Sequence, residues 1–174
     1  MTGLDERVDL GRLRDLRGRG AYPWIRRALL ALLGLVVVLA AAGVFGQLTR
    51  TLADRGAGAD LRVDVPDVLR GGLMWRARIA VRTTRTIEHP RLILGAGFFE
   101  GMQFNTLEPA PASEANRGPR IVLSYDKLTA GGELVVYLQM QVNPTTVGEQ
   151  DSSVQLDDAT DRLVRVAHVT SVLP

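Results

Sequence analysis

The hydrophobic pattern of this chain has two parts. Residues 28–46, ALLALLGLVVVLAAAGVFG, are nineteen consecutive positions without a charge. At about 1.5 Å per residue, a helix of this length is roughly 28 Å long, close to the ~30 Å hydrocarbon thickness of a bilayer. From residue 61 onward apolar and polar residues alternate, which is typical of half-buried β-strands. The sequence therefore predicts a transmembrane helix at 28–46 and a mainly β domain at 61–174.

The residues around the apolar run predict its orientation. Trp24, Arg26 and Arg27 precede it, and aromatic and basic side chains of this kind anchor a helix at the lipid headgroups. The twenty residues before the run contain six Arg, whereas the twenty after it contain three. Because basic residues stay on the cytoplasmic side, we expect residues 1–27 to be a basic cytoplasmic tail and residues 61–174 to be extracytoplasmic, in the cell membrane of a single-pass protein.

Two fates of the apolar run stay open. It is either an uncleaved signal anchor or a signal peptide cut near Ala42, since Ala40 and Ala42 form an A-x-A-like cleavage site. The spanning length of the run favours the anchor. Both alternatives export the same domain. The polar residues 47–60, rich in Gly and Ala, are predicted to be the linker that precedes it.

Strand patterns recur at about ten-residue intervals in the C-terminal part. In residues 134–142 every second side chain is a large apolar one, and residues 73–82 alternate in the same way with Trp75 on the apolar side. Seven or eight such strands without an amphipathic helix between them predict an antiparallel β-sandwich.

The segment at 128–148 carries a resemblance to a known family. Leu128-Thr129-Ala130-Gly131-Gly132-Glu133 is a turn that leads into a long alternating strand, and a second turn that contains Gly148 follows it. This order resembles an immunoglobulin-like module of bacterial cell-surface proteins. The resemblance implies an immunoglobulin-like sandwich with an adhesive, spacing or docking role and no catalytic residues, in which Trp75 takes a core position.

Composition narrows the function further. The chain has no Cys, so disulfides and thiolate chemistry are excluded. After residue 27 the chain holds 14 basic and 15 acidic residues, which is not the basic excess of a nucleic-acid-binding domain.

Candidates for catalysis or cofactor binding are few. His89 lies before Pro90 in a turn, and His168 lies on the last predicted strand, without the spacing of a zinc site. Asp157, Asp158 and Asp161 fit no known calcium loop, so we interpret them as a solvated acidic hairpin. No nucleophile motif or phosphate-binding loop is present. We therefore predict no cofactor, no metal and no enzymatic activity.

Two surfaces are predicted to bind a partner. The first is the outer face of strand 73–82, with Arg76, Arg78 and Arg82, for which the alternative is a solvated face with cross-strand ion pairs. The second is the aromatic segment with Phe98, Phe99, Met102 and Phe104, for which the alternative is packing in the core.

These observations predict a non-enzymatic membrane protein whose sandwich docks onto or supports another envelope protein. One alternative is an exported module that binds wall polymer or anionic lipid through the Arg face, and another is an anchored hydrolase that uses His168. A homo-oligomer through the small residues Ala42 and Gly46 has little support in the sequence.

Overall fold

The structure is a computed structural model, and it describes residues 22–41 and 48–174. The chain divides into two compact units, with the boundary between Gly46 and Gln47.

Helix α1 (Tyr22–Ala41) belongs to the N-terminal unit. Pro23 stands in its first turn, where the missing N–H leaves no helical hydrogen bond unmade. The Arg27 guanidinium lies over the Trp24 ring, 5.5 Å from the ring centroid. The leucine and valine side chains that follow are largely exposed to solvent in this unit.

The structure does not show the predicted transmembrane helix. Helix α1 ends at Ala41, and the rest of the predicted span lies outside the described residues. Among the described residues, no helix is long and apolar enough to cross a membrane. The membrane anchor therefore stays a prediction.

Thirteen strands make up the described part of the second unit. In chain order they are β1 (Thr49–Gly56), β2 (Ala59–Pro66), β3 (Val68–Arg70), β4 (Met74–Thr83), β5 (Pro90–Leu94), β6 (Met102–Glu108), β7 (Ser113–Arg117), β8 (Arg120–Ser124), β9 (Glu133–Val142), β10 (Gly148–Asp151), β11 (Val154–Asp158), β12 (Asp161–Val166) and β13 (Val169–Leu173). A 3₁₀ turn, Ala96–Phe98, lies between β5 and β6.

The strands form three sheets. The front sheet has the order β1-β2-β4-β9-β6, the back sheet β12-β11-β5-β8-β7, and the small sheet β10-β13-β3. All neighbouring strands are antiparallel except β13 and β3.

The front and back sheets share one hydrophobic core. Leu61, Ile79, Leu138 and Met140 enter it from the front sheet, and Leu92, Leu94, Leu123 and Leu156 enter it from the back sheet. The small sheet adds Leu69 and Val172 to the same core. The predicted β-sandwich is therefore confirmed, and the alternation predicted for residues 73–82 and 134–142 matches the burial along β4 and β9.

The two long sides of the sandwich differ. On one side the terminal strands β1 and β12 contact each other. On the other side the terminal strands are β6 and β7, and a cavity of about 390 Å³ lies between them. The sandwich is thus closed along one side and open along the other.

Two regions differ from the prediction. The predicted linker at 47–60 contains β1, which pairs with β2 along its whole length through a tight turn at Ala57 and Gly58. Both turn residues have positive φ, as the two-residue hairpin turns that match the strand twist require. Residues 108–119, whose Pro, Ala and Gly content predicts a loop, contain β7, which pairs with β8. Unpredicted strands raise the count from seven or eight to thirteen among the described residues.

Candidate functional site

Alternation along β4 places the three predicted arginines on the outer surface of the front sheet. Trp75 and its inward neighbours are buried, so Arg76, Arg78 and Arg82 point away from the core. The register with β9 gives each arginine a different neighbour. Arg76 lies opposite Gln139, Arg78 opposite Tyr137, and Arg82 opposite Glu133.

Ion pairs neutralise most of the arginines on this surface. The pairs are Arg55–Asp60 at 3.1 Å, Arg78–Asp64 at 3.4 Å and Arg82–Glu133 at 3.2 Å. Each joins neighbouring strands of the front sheet, and exposed pairs of this kind contribute only ~0–1 kcal/mol to stability. Their main effect is therefore to cancel charge, which is the alternative expected for a solvated sheet face.

The environment of Arg78 favours its charged form. A hydrogen bond with the Tyr137 side chain, and then the Asp64 carboxylate, raise the pKa of the Arg78 guanidinium above its usual range. Arg78 is therefore held by neighbours on two adjacent strands of the sheet.

Arg76 differs from the other two arginines because it forms no ion pair with any described residue. The ladder between β2 and β4 ends at Asp64 and Arg78, so no acidic residue of β2 lies opposite Arg76. Arg76 instead lies between two open cavities of about 360 and 380 Å³, and Gln139 also lines both. Glu108, which lies opposite Tyr137 in the β6–β9 ladder, also lines the second cavity.

We name the surface formed by Met74, Arg76, Tyr137 and Gln139 the Arg76 face. Tyr137 is 43% exposed and Met74 51% exposed. Protein interfaces are enriched in Arg, Tyr and Met and depleted in Lys and acidic residues. The composition of the Arg76 face is therefore that of a contact surface.

Sequence reasoning did not identify Tyr137 and Gln139 as site residues. Alternation in β9 places both outward, and that much is readable from the sequence. Their position beside Arg76 follows from the β4–β9 register, which joins segments about sixty residues apart and leaves no local signal.

The aromatic segment is mostly part of the core. Phe98 is fully buried, with its ring centroid 6.0 Å from that of Trp75. Met102 is also buried, and Phe99 packs against the core. The prediction that Phe98 and Met102 contact a partner is therefore wrong for this structure, because buried side chains present no surface. Phe104 is 38% exposed and lies at the open side of the sandwich.

His168 has a structural environment. Its side chain is 9% exposed, and its Nε2 lies 3.5 Å from a carboxylate oxygen of Asp67 and 3.4 Å from the Pro66 carbonyl oxygen. The nearby hydroxyl of Thr170 donates to the same carbonyl and is buried with Ser152. These contacts join His168 and β13 to the end of β2.

The acidic hairpin is also occupied by structural bonds. Asp158 accepts a hydrogen bond from the His89 backbone N–H at 2.9 Å, and Asp157 accepts one from the Gln155 amide at 2.7 Å. Within residues 22–41 and 48–174, no group of three His, Asp or Glu side chains is arranged to hold a metal ion.

Comparisons with known proteins give only distant structural likenesses. No protein-family model matches the chain, and no curated protein matches it. CaCohA2 from Clostridium acetobutylicum is 11% identical, with a TM-score of 0.42 over 67% of this chain and 92% of that chain. A non-cellulosomal cohesin from the archaeon Archaeoglobus fulgidus is 10% identical, with a TM-score of 0.39 over 72% and 91%. The C-terminal domain of wzt is 13% identical, with a TM-score of 0.41 over 74% and 81%.

Likenesses at these TM-scores carry no argument about function. The β-sandwich assignment rests on the two packed sheets of this chain, and the immunoglobulin-like envelope family stays a prediction.

Proposed function

We propose that this protein is a non-enzymatic docking protein that binds another protein through the Arg76 face. The observation that carries the proposal is the difference between Arg76 and its neighbours on β4. Arg78 and Arg82 are paired with acidic residues, whereas Arg76 has no such partner among the described residues and lies between two cavities.

The chemistry of the Arg76 face points to an acidic side chain of the partner. A guanidinium binds a carboxylate through two parallel hydrogen bonds, and such charge-assisted bonds are about twice as strong as neutral ones. Gln139 adds an amide beside it, and the two cavities on either side leave room for the neighbouring side chains of the partner. Tyr137 and Met74 supply apolar area around the charge.

We also propose that the sandwich works at the outer side of the cell membrane, held there by residues 28–46. This part of the proposal is supported by the sequence, namely the uncharged run and the arginines before it. The apolar side chains of α1 are largely exposed, and a lipid bilayer would bury them in an apolar environment.

The docking proposal is tested by quantitative affinity capture from detergent-solubilised membranes of the source cells. Full-length wild type, Arg76→Ala and Arg82→Ala are compared. Arg82 is a matched control because it lies on the same strand and face but is paired with Glu133. We expect at least one protein to be recovered about 30-fold less with Arg76→Ala, the effect of a ~2 kcal/mol contact. Its recovery with Arg82→Ala stays within about 5-fold, since an exposed ion pair is worth ~0–1 kcal/mol.

Equal recovery of every bound protein with wild type and Arg76→Ala refutes the proposal.

The wall-polymer or lipid alternative is tested in parallel with vesicles that contain phosphatidylglycerol. Because Arg78 and Arg82 are ion-paired, the outer surface of β4 is not a basic patch. We therefore expect that replacing Arg76, Arg78 and Arg82 together does not change the binding of the protein to vesicles. Such binding, lost in the triple Ala variant, would favour the lipid alternative.

A further inference from the structure

The open side of the sandwich forms a groove with two free strand edges. β6 ends the front sheet and β7 ends the back sheet, so neither has a neighbour on its outer side among the described strands. Between them lies the cavity of about 390 Å³. We call this cavity with its two edges the β6–β7 groove.

The groove has an apolar floor. Leu123 is buried at its base, and Leu107 and Ile121 are half-buried and pack against the core. Phe104 forms one wall and is 38% exposed. These side chains gain free energy if another apolar group covers them, at roughly 25 cal/mol per Å².

One acidic side chain stands at the rim of the groove. Glu114, on β7, is exposed and forms no ion pair among the described residues. Of the described residues that line the cavity, it alone is charged. A ligand that fits the groove therefore gains from a positive charge near Glu114.

The backbone at both edges requires hydrogen-bond partners of its own. In β6 the register with β9 skips Asn105, and this bulge interrupts regular pairing at the edge, so an added strand pairs with the residues on either side of it. All five residues of β7 are exposed. Outer-edge N–H and C=O groups of a terminal strand pair readily with an extended chain.

We propose that the β6–β7 groove binds an extended peptide segment of another protein, which adds as a strand along β6. Alternate side chains of the segment are apolar and enter the groove beside Phe104, and a Lys or Arg lies near Glu114. An acyl chain meets only the apolar requirement, because it has no groups to pair with the strand edge. The sequence of β6, MQFNTLE, contains no Lys or Arg. A second copy of β6 therefore has no positive charge to pair with the Glu114 carboxylate.

This site is separate from the Arg76 face and does not depend on it, although Thr106 of β6 lines both cavities. The variant Arg76→Ala therefore serves as a control for the groove, and the groove variants serve as controls for the face.

The test uses full-length protein in detergent and a displayed library of random peptides long enough to form one strand. We expect the enriched peptides to carry apolar residues at alternate positions and at least one Lys or Arg. One enriched peptide, labelled with a fluorophore, is then titrated by fluorescence polarisation against wild type, Phe104→Asp, Glu114→Lys, Gln103→Asp and Arg76→Ala.

Phe104→Asp is expected to weaken binding about 10-fold or more, because it places a charge in the apolar groove. The control Gln103→Asp changes an exposed residue of the same strand that pairs opposite Gln141 on the outer face, and it leaves affinity within about 2-fold, since the new charge stays in solvent. Glu114→Lys weakens the original peptide, and a version with Glu in place of its basic residue recovers affinity. Circular dichroism melts verify that each variant is folded.

Three results overturn the proposal. They are a library that yields no enriched peptide, equal loss of binding with Gln103→Asp and Phe104→Asp, and a concentration-dependent dimer that Phe104→Asp abolishes, which assigns the groove to a second copy. Retained binding to the groove with loss of partner capture by Arg76→Ala separates this site from the Arg76 face.

Discussion

Replacement of Phe98 by Ala tests whether the aromatic segment is core or contact surface. Phe98 is fully buried and its ring lies against Trp75, with 6.0 Å between centroids and 33° between planes. Phe→Ala changes at buried positions cost ~3–5 kcal/mol through lost transfer free energy and the cavity left behind. The tilted aromatic contact contributes within that range. We therefore expect Phe98→Ala to lower the free energy of unfolding by about 4 kcal/mol.

Phe104→Ala is the matched control, because it removes the same side chain from a position that is 38% exposed on the edge strand. Full burial of a Phe side chain is worth ~1.5–3 kcal/mol. Because Phe104 is partly exposed, Phe104→Ala is expected to lower the free energy of unfolding by only about 1 kcal/mol. For a unit of this size, 1 kcal/mol corresponds to roughly 3–5 °C in Tm. The expected Tm losses are about 12–20 °C for Phe98→Ala and about 3–5 °C for Phe104→Ala.

The assay is urea unfolding of the full chain in detergent, followed by tryptophan fluorescence. The chain has two Trp, so a Trp24→Phe background leaves Trp75, the residue in contact with Phe98, as the single reporter. If Phe98→Ala does not fold, Phe98→Leu retains most of the volume and is expected to cost about 1–2 kcal/mol. Equal losses of unfolding free energy for Phe98→Ala and Phe104→Ala would refute the assignment of Phe98 to the core, and the aromatic segment would then be a surface segment.

Two further predictions concern a titration and a glycine. Burial first, and then the charge of Glu114, raise the pKa of Tyr125 to about 12. This folded-state pKa lies above the ordinary value of about 10. The stability that the neutral phenol contributes is therefore complete below pH 10 and is lost as the pH rises from 10 to 12. Absorbance at the phenolate band checks this, and Glu114→Gln is expected to lower the pKa of Tyr125, whereas an unchanged value would contradict the stated cause. A Cβ at Gly56 would meet the carbonyl oxygen of Leu163, so Gly56→Ala is expected to cost ~1–3 kcal/mol in urea unfolding. Gly34→Ala, whose Cβ meets nothing within 4 Å, leaves the unfolding of the sandwich unchanged; similar losses for both would refute the clash.

Strands that bury one face were predictable from the sequence. In β4 and β9 the apolar side chains alternate with polar ones, and the same positions are buried in the structure. The physical reason is local, because successive side chains of a strand point to opposite faces and one face must leave water.

Strands that bury little were not predictable in this way. Every residue of β1 and β7 is exposed or half-buried, so neither strand has an apolar period. Residues 47–60 and 108–119 are therefore predicted as linker and loop. Both are terminal strands, held by backbone hydrogen bonds to β2 and β8. Pairing of this kind depends on the neighbouring strand and does not require an alternating apolar pattern, so it cannot be predicted from side-chain composition.

The sequence by itself determined that a β-sandwich follows an apolar helical segment, and that three arginines lie on one face of a strand. Only the tertiary structure decided which of those arginines is available. Asp64 and Glu133 reach Arg78 and Arg82 from other strands, whereas Gln139 lies opposite Arg76. Cross-strand neighbours come from distant parts of the chain, so the charge of a sheet face is a property of the register and cannot be read from one strand alone.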